Sequence, residues 1–268
     1  MKVFISADME GLSAVVNGKE CSGAEKEYPA FCQIMTKEVN AAIEGALEAG
    51  ATEILVNDSH GGGRNIIPEL LNPKALLSRG QPLPVMVAGL DASYQALFLV
   101  GYHAKRGTAN AILNHTYRGL YHRIAVNGQE LGELGMAAAY AGSFGVPLAF
   151  ASGDDKLAGE ARELVPGVTA VVVKYATSVT TAKCLSPEAA REHIRAGAKQ
   201  ALGQLGAVKP FVIKPPLVLE LEYADYTCLD RVVCLPGVER VGGRSIRCRF
   251  ETMPALINFI SVISCITV

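Results

Sequence analysis

Asp8, Glu10, His60, His103 and Glu133 are the side chains of this sequence whose types suit a bound cation, and His115 lies on a loop between the last two. Carboxylates mixed with imidazoles favour a borderline divalent metal, zinc first. Five donors exceed what one tetrahedral ion needs. The set therefore points to two zinc ions per chain, a carboxylate bridging them, and open positions for water. Asp8, short and central, is the natural bridge, and the chemistry such a centre performs is hydrolysis.

These residues are remote in the chain, so secondary structure has to gather them. Residues 2–7 read as a buried strand running straight into Asp8-Met9-Glu10-Gly11. Two acids at the end of such a strand are costly without a positive partner. Between residues 24 and 49, Phe31, Ile34, Met35, Val39, Ile43 and Leu47 keep a three-four spacing that predicts an amphipathic helix, ended by Gly50. A second strand at 53–57 completes a β-α-β unit and implies a parallel sheet. It leads to Asp58-Ser59-His60 and three glycines. A third apolar strand, 95–103, again delivers a histidine at its end. In open α/β sheets ligands bind at those carboxyl ends.

The remaining chain supplies the frame. Arg64 to Leu71 reads as a short helix and Pro73 to Pro84 as loop and edge. Tyr121 to Val126 meets Asn127-Gly128, a strong hairpin signal, and an Ala-rich helix carrying Glu133 runs to about Ser143. Strands are expected at 146–151 and 168–173. Asp154-Asp155 and Ser186-Pro187-Glu188 open helices, where acids, Ser and Pro suit the first turn. A Lys/Pro linker follows Gly206, then strands at 217–222 and 244–250 and a helical tail. The expected fold is a three-layer α/β/α domain with a mostly parallel sheet, residues 1–205, plus a smaller C-terminal α+β domain, 206–268.

Taken singly, each candidate has an ordinary explanation. His60 is a turn residue before glycines, His103 a hydrogen-bonded core histidine, Glu133 a first-turn acid, and His115 a loop residue. Their convergence on one sheet edge argues otherwise. His122 and His193 read as surface or packing residues, and Lys105 and Arg106 as solvated loop charges. His60-Gly61-Gly62-Gly63 also matches an oxyanion-hole signature of α/β-hydrolases, but the G-x-S-x-G elbow that reading requires is missing from the sequence.

Composition removes several classes. A net charge of −1, scattered basic residues and no Trp argue against nucleic acid. The apolar tail, 255–268, is too short to span a bilayer, and the amino terminus opens on a strand rather than a secretory signal. Seven cysteines without a C-x-x-C pair suggest reduced thiols in a cytoplasmic protein.

Ser6-Ala7-Asp8-Met9-Glu10-Gly11, Val56-Asn57-Asp58-Ser59-His60, Leu99-Val100-Gly101-Tyr102-His103-Ala104, Asn114-His115, Asn127-Gly128 through Gly132-Glu133-Leu134-Gly135, Ser152-Gly153-Asp154-Asp155 and Lys183-Cys184-Leu185-Ser186-Pro187 together resemble the bacterial zinc-dependent D-aminopeptidase family of the dipeptide-transport operon. The resemblance runs in order over about residues 1–205. It implies a binuclear zinc site of Asp8, Glu10, His60, His103 and Glu133, with His115 as the catalytic histidine. It also implies release of amino-terminal D-residues from short peptides by a ring-shaped homo-oligomer with an internal chamber. His115 suits proton transfer or oxyanion stabilisation because histidine is the side-chain type able to give and take a proton at neutral pH, and Asn114 would add a hydrogen bond to substrate. The residues alone leave open a binuclear hydrolase of another amide or a phosphoester, and a non-enzymatic peptide-binding module.

Overall fold

The computed structural model describes residues 1–80, 86–117 and 119–266, the side chain of Ile266 excepted. β1 (Lys2–Ala7), α1 (Tyr28–Glu48) and β2 (Glu53–Asp58) form the expected opening unit, and β3 (Ala75–Ser78) adds an edge strand. β4 (Ala96–Tyr102) then crosses to the other side of β1, pairing Val3 with Ala96 through Ala7 with Val100. A hairpin of β5 (Tyr121–Val126) and β6 (Gln129–Glu130) leaves this sheet. The chain returns through α2 (Glu133–Ser143), β7 (Leu148–Asp154), α3 (Asp155–Leu164), β8 (Thr169–Ala176), β9 (Ala182–Cys184) and α4 (Pro187–Gly203). It finishes with β10 (Leu217–Tyr223), α5 (Leu229–Val232), β11 (Glu239–Gly242), β12 (Ser245–Phe250) and α6 (Met253–Ile266).

The large sheet has seven strands in the order β3-β2-β1-β4-β7-β8-β9, parallel except for β9. Sequence order reverses on either side of β1, so the crevice between the ends of β1 and β4 is the switch point where such sheets bind ligands. Alternation along β1 feeds two cores. Val3, Ile5 and Ala7 pack with α1 and α4 on one face, whereas Phe4 joins α2 and α3 on the other. The small residues of α2, buried on nearly every side, let that helix sit close.

The second sheet is antiparallel and ordered β11-β12-β10-β5-β6. Leu217, Leu219, Leu221 and Tyr223 of β10 face inward to α2 and α6. Asn127 and Gly128 take φ of 51° and 79°, the left-handed pair of a tight hairpin turn. That hairpin pairs with β10, so the second sheet draws strands from both sides of residue 206.

The expected helix at 64–71 contracts to one 3-10 turn, Pro68–Leu70. Asp58 explains it, because its carboxylate accepts from the backbone N–H of Asn65 (2.6 Å) and Ile66 (2.8 Å) and draws that segment into a loop. The short elements β3, β9, β11 and α5 carry too few residues to show a period. Residues 81–84 of the expected loop and 267–268 of the tail lie outside the described residues. Among the described residues no helix is long and apolar enough to cross a membrane.

Candidate metal centre

The turn after β1 is pressed onto the end of β4. Asp8 N–H donates to Val100 O (2.8 Å) and Gly11 N–H to Gly101 O (2.8 Å). Gly101 has φ of +72°, and a Cβ there would stand 2.3 Å from Asp8 O. Only glycine lets the two strand ends approach so closely. On the other side, Ser59 donates twice to Ala7 O, through N–H (2.9 Å) and Oγ–H (2.6 Å). Asn65, held by Asp58, donates through Nδ2 to His60 O (2.6 Å). The loops bearing Asp8 and His60 are therefore fixed by backbone bonds rather than by the acids and imidazoles themselves.

Those side chains converge. His60 Nδ1 lies 3.0 Å from Asp8 Oδ1 and 3.1 Å from Glu10 Oε2. His103 Nε2 lies 3.5 Å from Asp8 Oδ2 and 3.4 Å from Glu133 Oε1. His115 Nε2 is 3.5 Å from the same Glu133 oxygen, and its ring stacks on His103 at 4.1 Å. Asp8 thus presents one oxygen to each of two imidazoles. Potential ligand atoms of Asp8, Glu10 and His103 lie within 4.8 Å of one another, as do those of His103, His115 and Glu133.

Each imidazole is oriented from behind. His60 Nε2–H donates to Cys21 O (2.9 Å), His103 Nδ1–H to Ala104 O (3.0 Å) and His115 Nδ1–H to Leu113 O (2.9 Å). In each case the far nitrogen donates to a backbone carbonyl and the near one faces the carboxylates. This is how metal-binding histidines are held.

With protons as the only cations, the cluster shifts strongly. Burial and the neighbouring Glu10 charge raise the Asp8 carboxyl to about 6. Burial would raise Glu10 as well, but His60 holds it well below the ordinary range. Glu133 is likewise lowered against its burial by His103 and His115. Burial opposes charge on His60 and His103, yet the carboxylates win. His60 is pushed well above its ordinary value by Glu10 and Asp8, and His103 to about 10, chiefly by Glu133. Even so, Glu10 Oε2 and His103 Nε2 are buried without a hydrogen-bond partner. Buried polar atoms are rarely left so. A divalent cation fits this donor set and would give both atoms a partner.

Asn114 sits beside the site, but its side chain is engaged within its own loop, accepting from Gly107 N–H and donating to Ala111 O (2.9 Å each). Arg106 donates to Gly119 O (2.6 Å) and Tyr121 O (3.0 Å), and Lys105 faces Glu130 at 3.9 Å. His122 and His193 are exposed. Three supporting residues carry little mark in the sequence. Asp58 shapes the His60 loop, and Lys174 reaches beneath Glu10. Asp154 caps α3 and also accepts from Ile112 N–H (2.9 Å), tying down the segment that leads to His115. A lysine directly after an apolar run was the one available signal for Lys174.

A parallel α/β sheet whose carboxyl edge gathers three carboxylates and three imidazoles has the donor set that suits a divalent metal. Comparison narrows the class. The chain belongs to the peptidase family M55, described as D-aminopeptidase, whose profile matches residues 1–262, well past residue 205. It is 37% identical over 240 residues to the D-aminopeptidase of Bacillus subtilis (strain 168), covering 89% of this chain and 87% of that protein. Among solved structures it resembles the Zn-dependent D-aminopeptidase DppA from Bacillus subtilis, described as a self-compartmentalizing protease. That match has a TM-score of 0.96 and 33% identity, and covers 100% of this chain and 98% of the other.

Proposed function

We propose that this chain is a zinc-dependent aminopeptidase that releases amino-terminal D-residues from short peptides, using two zinc ions held by Asp8, Glu10, His60, His103 and Glu133. The observation that carries the reading is the pair of unpartnered buried atoms, Glu10 Oε2 and His103 Nε2, inside a cluster whose imidazoles are all oriented from behind. Family membership supports the D-peptide substrate. The two oxygens of Asp8, each facing a different imidazole, support its role as the bridge.

Zinc in such a site supplies Lewis acidity, polarising a carbonyl and acidifying water. The protein's own part follows from its donors. His115 leaves 27% of its side chain exposed against 1% for His103, so it faces the space a peptide would enter. With Nδ1–H given to Leu113 O, its Nε2 takes a proton from the attacking water and returns it to the leaving amine. A carboxylate of the site holds the free amine of the peptide, which restricts cleavage to the first residue. Asn114, through the loop it braces, sets where His115 stands. A second reading makes His115 a metal ligand, favoured by its place within 4.8 Å of His103 and Glu133 donor atoms.

The whole-chain likeness to a self-compartmentalizing protease supports a ring-shaped homo-oligomer with its sites facing an internal chamber. Seven unpaired cysteines support a reducing, cytoplasmic setting. Metal analysis coupled to hydrolysis of paired D- and L-alanyl dipeptides tests the function. Two zinc ions per chain and preferential cleavage of the D-peptide are expected, and turnover indifferent to complete chelation would refute it.

A further inference from the structure

Beneath the acids lies a buried cation that the proposed reaction does not use. Lys174 on β8 is fully buried, and its Nζ donates to the carbonyl oxygens of Glu10 (2.5 Å), Leu12 (2.9 Å) and Val15 (2.6 Å). Three acceptors around one nitrogen use all three hydrogens of an ammonium, whereas a neutral amine has only two. Its neighbours in the sheet register are Asp154 and Cys184, yet among the described residues it forms no ion pair. An ammonium buried this way is costly, and an apolar side chain in the strand Thr169–Ala176 would avoid the cost.

The same segment is gripped from the opposite side. Glu38 of α1, also buried, accepts from Ser13 N–H (3.0 Å). A lysine on the sheet and a glutamate on the helix therefore hold one stretch of backbone, Glu10 to Val15, by its carbonyls and an N–H. The stretch they hold begins at a proposed zinc ligand.

We propose that Lys174 is a positioning residue of the metal centre, whose ammonium, closed on the carbonyls of Glu10, Leu12 and Val15, keeps the Glu10 carboxylate in its ligating position whether or not metal is bound. The proposal rests on the reading of Glu10 as a zinc ligand. Its consequence is preorganisation. Zinc does not have to order the loop, so losing Lys174 weakens metal binding and leaves the chemistry of the loaded centre intact. Groups behind a metal ligand typically change affinity 10–100-fold, and about that loss is expected here.

Two measurements test it. Chelator competition on zinc-stripped wild type, Lys174→Met and Lys174→Arg should give zinc binding weakened by about 10–100-fold in Lys174→Met. Wild-type kcat and KM should return when zinc is in excess. Lys174→Arg, which keeps the charge but not the three-way geometry, should fall between. Hydrogen exchange on the stripped wild type needs no variant, and so decides the matter even if Lys174→Met fails to fold. The amides of Leu12, Ser13 and Val15 should stay protected without zinc. Wild-type zinc affinity in Lys174→Met, or free-loop exchange at those amides, would overturn the proposal while leaving the zinc reading standing. A wild type that binds no zinc would overturn both.

Discussion

The carboxyl edge of the large sheet and the outer face of the second sheet use similar side chains to opposite ends. On the second sheet Glu220 meets Arg247 at 3.0 Å and Arg123 at 3.9 Å, and Glu222 meets Arg244, all at partly exposed positions. Strand pairing sets Glu220 opposite Arg247, whereas Glu222 faces Ser245 and reaches the neighbouring Arg244. Such pairs contribute little to stability. At the sheet edge the acids and His103 are buried and His60 and His115 partly so; the groups crowd within 3.0–3.5 Å and still leave two atoms without partners. Charge alone does not mark a site. Burial with unmet donors and acceptors does.

The sharpest way to break the contrast is Asp8→Ala. It should cost the chain its metal and drop peptide turnover to background, read by zinc content and kcat, whereas retention of two zinc ions would reassign the bridge. His115→Ala comes next. Zinc content should hold while kcat falls by roughly 10² or more, and loss of zinc instead would move His115 into the ligand set. Gly101→Ala adds strain from its positive φ and a Cβ set against Asp8 O. It should lower stability by about 1–3 kcal/mol and weaken zinc binding, seen in denaturant midpoint and metal competition. Smallest is Glu220→Gln on the second sheet, expected to change stability by less than about 1 kcal/mol and zinc affinity and kcat not at all. A loss of activity there would erase the distinction between the two regions.

Much of this was legible because the edge is built from strand ends. The apolar runs before Asp8 and His103 and the run before His60 announce strands, and a parallel sheet places their ends side by side. The Asn127-Gly128 turn and the Ser186 cap are local chemistry and read directly. What stayed hidden is long-range. Asp58 closes a loop by accepting backbone N–H groups seven and eight residues on, which cancels the helix expected at 64–71. Asp154 reads as a helix cap, and its bond to Ile112 N–H has no signature in the chain. Lys174 looks like a strand-end lysine until the carbonyls of Glu10, Leu12 and Val15 are seen to surround it. The pairing of β5 with β10 joins residues almost a hundred apart, beyond the reach of any periodicity.

Zinc titration of the stripped protein, followed by calorimetry in buffers of different ionisation enthalpy, tests the central claim most directly. The folded, metal-free chain holds His60 well above its ordinary value and His103 at about 10. At pH 7 both imidazoles carry protons that zinc must displace. Because these folded-state values are raised, the stabilisation by those protons is complete below about 6.5 and lost as pH rises through about 10 for His103. Zinc affinity should accordingly rise with pH over that window. Binding of two zinc ions with release of about two protons per chain at pH 7, one from each imidazole, is the predicted result. No binding, or binding without proton release and with pH-independent affinity, would contradict it.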